Sequence, residues 1–345
     1  MVAFAWRGGQ HASVSNNTEA GHRKVSGLTI CDSPLFALPA PTKTPAMDDE
    51  PIRNLPFPGN PVIPQTFDAS KVIQFQCHKG IACWNACCSN IDISLSPYDI
   101  LRLKRRFNIS SGEFLQRYTV PYEMEQSSIA GVKLRPVENG TACQFMAAEG
   151  CSVYQDRPTA CRYYPVALLS LRRQDEYTDR ASYALVEEPH CLGHQEPRSI
   201  SIDAYRIEQG LEQYDELARG WRQLILKKKS SGPSIGKPSK RSLELFFMVC
   251  YDIDRFSQFV ASEGFNDLYD LPAQEMKDVL CDDIALMQFG FRFLRQVLFG
   301  EMSIPLRAGS AVRRRERLAV QRARLEKDAM QRLARDDDAI DQVDD

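Results

Sequence analysis

Four cysteines fall within twelve residues in the stretch CHKGIACWNACC, residues 77–88, and two of them, Cys87 and Cys88, are adjacent. Cys143, Cys151, Cys161 and Cys191 bring the number to eight within one third of the chain, while Cys31, Cys250 and Cys281 lie outside it. Thiolates are soft donors that favour zinc, copper(I) or iron–sulfur over calcium or magnesium. The spacings are C-x5-C-x3-C-C and C-x7-C-x9-C, with Cys191 thirty residues farther on. Eight thiols match two four-coordinate sites, each a tetrahedral Zn²⁺ or an iron–sulfur cluster. A helix through 83–88 would put Cys83 and Cys87 on one face and turn Cys88 about 100° away. Adjacent thiols then serve two nearby ions, or two corners of a polynuclear centre, more easily than one ion. The pattern is neither a pair of CxxC knuckles nor a ferredoxin run, so spacing leaves the ion open.

Competing uses of sulfur are weaker. Eleven cysteines in 345 residues fall far below the composition of a disulfide scaffold. Cys250 and Cys281 sit within apolar helical segments and read as core residues. His78, His190 and His194 lie beside the clusters and read as bystanders, with a mixed Cys/His site as the alternative. Arg157 and Arg162 flank Cys161, either to support a thiolate centre or to form a surface ion pair with Asp156. Tyr163 and Tyr164 read as packing residues.

The elements that must position these groups predict an α+β fold: a small Cys-rich metal domain of short strands and helices, then a mainly α-helical C-terminal region. Residues 1–65, with nine prolines between Pro34 and Pro64, read as a disordered Pro-rich segment, within which Met47 is a second candidate translation start. The cysteine-cluster domain spans 66–197. Val72, Ile73 and Phe75 suit a strand. Ser96, Pro97 and Asp99 spell an N-cap with a capping box, and Ser110 with Glu113 repeats the signal. Residues 129–154 read as strands and a hairpin, DRPTACRYYP as one helical turn and a loop, and ASYALVEEPHC as a strand ending at Cys191. A helical region, 198–306, contains three long helical segments and a polar linker near 227–241. The tail, 307–345, is a charged helix with an acidic end.

A net charge of −2 gives no general attraction to nucleic acid or an anionic membrane. No apolar run approaches the roughly 20 residues of a spanning helix, and the N-terminus lacks the continuous apolar stretch of a secretory signal. The expectation is a cytoplasmic protein, where clustered cysteines bind metal more often than they form structural bridges. An unknown protein partner could be held by the helical C-terminal region.

Taken together, FQCHKGIACWNACC and CQFMAAEGCSVYQDRPTACRYYP resemble the signature of the YkgJ-type cysteine-cluster proteins, a zinc- or iron-chelating family. The matching positions are Cys143, Gly150, Cys151, Tyr154, Asp156, Arg157, Pro158, Cys161, Arg162, Tyr164 and Pro165, and CLG at 191–193 looks like the closing motif. The resemblance covers about 75–195. Family members usually carry a glycine-containing first cluster, where this chain has Trp84 and Asn85. The resemblance implies chelation through Cys77, Cys83, Cys87, Cys88, Cys143, Cys151, Cys161 and Cys191. It also leaves an enzymatic alternative, because flagellin lysine N-methylase is similar around its cysteines. A metal-cluster-dependent, protein-modifying transferase is therefore the second expectation, and an interaction adaptor with a structural metal the third. No G-x-G-x-x-G nucleotide fingerprint occurs.

Overall fold

The computed structural model describes residues 65–124, 129–171, 180–230 and 239–310, with short runs on either side. A minimal ladder pairs β1 (Lys24–Val25) with β2 (Leu28–Thr29); the other expectations for residues 1–64 lie outside the described residues, as does most of the charged tail. β3 (Val72–Gln74) forms where the apolar residues placed it.

α1 (Pro97–Phe107) begins with the reciprocal box its sequence spells. Asp99 N donates to Ser96 Oγ at 3.2 Å, and Ser96 N donates to Asp99 Oδ2 at 2.8 Å. Its apolar face, Tyr98, Ile100, Leu101 and Leu103, is buried. α2 (Ser111–Tyr118) opens on Ser110, whose hydroxyl accepts from Glu113 N. β4 (Thr119–Met124) follows at once and pairs antiparallel with β5 (Ile129–Leu134). β4 was not anticipated: Pro121 weakens its strand signal, and proline is tolerated in a strand at the edge of a sheet, where among the described residues β4 pairs with β5 alone.

β6 (Met146–Ala147) and β7 (Gly150–Cys151) make the expected hairpin, and α3 (Thr159–Tyr163) is the expected single turn. β8 (Val166–Leu171) was also missed; it pairs with β9 (Arg180–Leu185). The strand expected to reach Cys191 stops at Leu185. Val186 N turns to Pro165 O at 2.7 Å, and Pro189 has no N–H to continue a ladder. β10 (Ser199–Ser201) closes the domain by pairing with β3.

The three long helical segments are seven helices. α4 (Ile202–Glu208) and α5 (Leu211–Ser230) are separated by Gly210 at φ 65°, a left-handed position suited to glycine. α6 (Lys240–Tyr251), α7 (Ile253–Ala261) and α8 (Glu263–Asn266) break at Asp252 and Ser262. α9 (Ala273–Cys281) and α10 (Asp283–Phe299) break at Asp282, which caps Ile284 N at 2.7 Å. At its break, Asp252 accepts a tertiary bond from Ser111 Oγ at 2.6 Å. The helices overrun both ends of the expected linker, leaving 231–239 between them.

One continuous core joins α1, α2 and β5 to the C-terminal helices, with Leu101, Phe114, Val132, Phe246, Phe256 and Phe293 in contact with it. The near-buried Lys104 reaches Asp254 at 2.5 Å across the same seam. A smaller core of Ile73, Phe75, Tyr163, Val166, Tyr183 and Ile202 lies under β3, β8 and β9. Cys250 is buried, as expected. Cys281 is not: it is exposed at the end of its helix and disulfide-bonded. No described helix is long and apolar enough to cross a membrane.

Candidate metal centre

The first cysteine loop is a chain of tight turns rather than one helix. Trp84 N donates to Ile81 O, Ala86 N to Cys83 O and Cys88 N to Asn85 O, ending in a 3-10 turn at Ala86–Cys88. The interruption is Asn85, left-handed at φ 65°, a conformation that asparagine tolerates better than other non-glycine residues. Its side chain adds a contact that a glycine at this turn would lack: Nδ2 donates to Ala147 O at 3.0 Å. Beside it the Trp84 ring packs on Gly150, where an added Cβ would lie 3.0 Å from Cζ2. The first loop is thus clamped onto the β6–β7 hairpin. Gly150→Ala is expected to destabilise the protein by roughly 1–3 kcal/mol, because Gly150 has φ +118°; urea unfolding measures it, and an unchanged midpoint would contradict the clamp.

The remaining cysteines arrive on separate elements. Cys143 N donates to Cys88 O at 2.8 Å, and Phe145 N donates to Cys143 Sγ at 3.4 Å. Cys151 faces Met146 across the hairpin. Cys161 rides on α3, whose N-terminus is tied to the wholly buried Asp99: Thr159 N and Oγ1 donate to its Oδ1 at 2.8 and 2.7 Å. Cys191 lies at the start of a 3-10 turn, where Leu192 N donates to Cys83 Sγ at 3.3 Å.

All eight cysteines line one cavity of about 210 Å³, and all eight are free thiols. They are spread along its wall: among the described residues, no three His, Cys, Asp or Glu side chains converge closely enough to hold an ion as they stand. Cys87 Sγ and Cys88 Sγ lie 4.0 Å apart. The hydrogen bond between the two holds Cys87 down at about 7 and pushes Cys88 up. Burial, then Cys87, Cys83 and Cys191, push Cys77 up to about 11. Cys143, Cys151 and Cys161 are raised by burial first and then by neighbouring sulfurs.

The surroundings fit a thiolate-bound cation. Mutual repulsion and burial oppose several bare thiolates in one cavity, and a divalent ion or a cluster would relieve both. Two buried donors at the cavity, Trp84 Nε1–H and the Tyr164 hydroxyl beside Cys191, make no hydrogen bond of ordinary geometry. Metal-bound sulfur is the acceptor such groups lack. Arg157 and Arg162 are each only 7% exposed and form no ion pair with a described carboxylate. Asp156, expected as their surface partner, binds Arg102 and Arg106 instead. Arg157 lines the cavity and stacks on Tyr154 at 3.9 Å. Arg162 donates to the backbone oxygens of Arg157, Gln209 and Gln155. A buried guanidinium without a carboxylate is costly, and for Arg157, which lines the cavity, an anionic thiolate centre would offset that cost.

The nitrogen donors have other neighbours. His194 Nε2 is 3.1 Å from Val186 O and its ring packs on Phe75. His78 faces Glu196 and His190 faces Glu188, although His190 also lines the cavity. Tyr163 donates to Asp215 at 2.6 Å, a buried contact with the helical half. Sequence reasoning missed Asp99 as a support of Cys161; the capping box was visible, but its second bond, to a residue sixty positions away, was not.

Turns and two-residue ladders arranged around eight cysteines define a cysteine-cluster domain. Residues 76–191 match the model of the CxxCxxCC family, described as a "Putative zinc- or iron-chelating domain". That is the cysteine-cluster family which the motifs resemble. No curated protein and no solved structure matches the chain.

Proposed function

We propose that this chain holds zinc or iron through Cys77, Cys83, Cys87, Cys88, Cys143, Cys151, Cys161 and Cys191, and that binding supplies much of the folding energy of residues 65–201. The observation that carries this reading is the arrival of all eight thiols, from segments up to 114 residues apart, at one cavity without a cystine among them. The cysteines themselves stand on turns, a two-residue ladder and a single helical turn, so a bound ion would tie these short segments together. An ion ligated fully by thiolate is closed to substrate and serves structure. An iron–sulfur centre is the polynuclear form of the same site.

Metal analysis of full-length protein purified without oxygen tests this. Stoichiometric zinc in a colourless preparation, or iron in a brown one, is the expected result. A folded, metal-free protein with eight thiols open to alkylation would overturn the reading.

A further inference from the structure

Cys281 is disulfide-bonded, yet nine of the eleven cysteines, the eight of the cavity and Cys250, are free thiols. We infer that its partner is Cys31, and that the bond is a redox-sensitive strap fastening the N-terminal ladder β1–β2 to α9. Within the chain, Cys31 is the cysteine that remains once the free thiols are set aside. Cys31 itself lies outside the described residues, but its neighbours do not. β2 (Leu28–Thr29) ends two positions before it and lies against α9, the helix whose last residue is Cys281. The cysteine count and the strand placement point to the same pair.

The two ends of this bond differ in how firmly they are held. α9 is set in the large core by Met276 and Val279 and packs on α7 and α10. β1 and β2 are two residues each and pair with each other alone among the described residues. A lone two-stranded ladder is marginal in water, so a covalent tie to a helix fixed in the core decides whether it stays in place. No residue of α9, β1 or β2 lines the thiol cavity, so the cystine is a second sulfur site, separate from the first. Cys281 is exposed, and exposed cystines are the labile ones that exchange with small thiols. The oxidant is a low-molecular-weight disulfide of the glutathione class. The Cys281 thiolate attacks one of its sulfurs, its S–S bond breaks, and one small thiol leaves. The Cys31 thiolate then attacks the Cys281 sulfur of the mixed disulfide and expels the second small thiol. The cysteine pair loses two electrons, the small disulfide gains them, and the two cysteine protons pass to the departing thiolates. Excess small thiol runs the same steps in reverse.

Peptide mapping of the full-length protein tests the pairing. Wild type is equilibrated with oxidised glutathione, denatured, alkylated and digested without reduction. A cross-linked pair of peptides carrying Cys31 and Cys281 is expected, and excess reduced glutathione before denaturation should abolish it. In Cys31→Ser the pair should be absent, with Cys281 alkylated or carrying glutathione. Cys281 fully alkylated in oxidised wild type, or joined to another cysteine, would overturn the pairing. Hydrogen exchange tests the strap: the amides of Leu28 and Thr29 are expected to exchange roughly tenfold or more slowly in oxidised wild type than in reduced wild type or Cys31→Ser. Equal rates in all three would overturn it.

Discussion

Asp99→Ala is expected to cost roughly 3–5 kcal/mol, because it orphans three donors at about 1–3 kcal/mol each, partly offset by local rearrangement. The donors are Ser96 N, Thr159 N and Thr159 Oγ1, all bound to a carboxyl that is fully buried. Burial raises the pKa of that carboxyl against the pull of those same bonds, so it is held at an electrostatic cost for the sake of geometry. It fastens the start of α1, which is set in the large core, to the start of α3, which carries Cys161. Asp99→Asn is the informative companion. It preserves volume but turns one acceptor into a donor, and it should lose most of the same stability. Urea unfolding of both variants measures the effect. If Asn matched wild type, the carboxyl would be filling space rather than accepting bonds.

How much of this was readable along the chain depends on the range of the interaction. The Ser96–Pro97–Asp99 start of α1 was legible because a capping box is closed within four residues. The α+β character and the cysteine set were legible for a similar reason, since type and local spacing carry them. β8 was not, because VALLSL resembles any short apolar run until β9 supplies its ladder. The break at Asp252 was hidden as well. The residue bonded to the Asp252 carboxylate there is Ser111, 141 positions away. Trp84 and Asn85 looked like departures from the family pattern, yet in space they hold the first loop on the hairpin. Arg157 and Arg162 could be placed beside Cys161 from sequence, but their lack of a carboxylate partner required the fold.

Removing metal with a chelator is expected to speed amide exchange by roughly a hundredfold or more in loops 77–88 and 188–195, since a structural zinc ion contributes about 10–16 kcal/mol of apparent binding free energy. The affected bonds include Trp84 N to Ile81 O, Cys88 N to Asn85 O and Leu192 N to Cys83 Sγ. The helices α6, α7 and α10 should keep their protection, because Phe246, Val249, Phe256 and Phe293 pack in the large core and none of them lines the cavity. α3 is the discriminating element. It carries a proposed ligand, Cys161, but it is also held by Asp99 at its start and by Arg162, whose guanidinium reaches Gln209 O at the α4–α5 junction. Two independent anchors should keep α3 closed after the loops have opened. Hydrogen exchange read by mass spectrometry separates these segments. If α3 opened together with the loops, the ion rather than the Asp99 and Arg162 contacts would be positioning Cys161, and the cost assigned to Asp99→Ala would have to shrink in the metal-free protein.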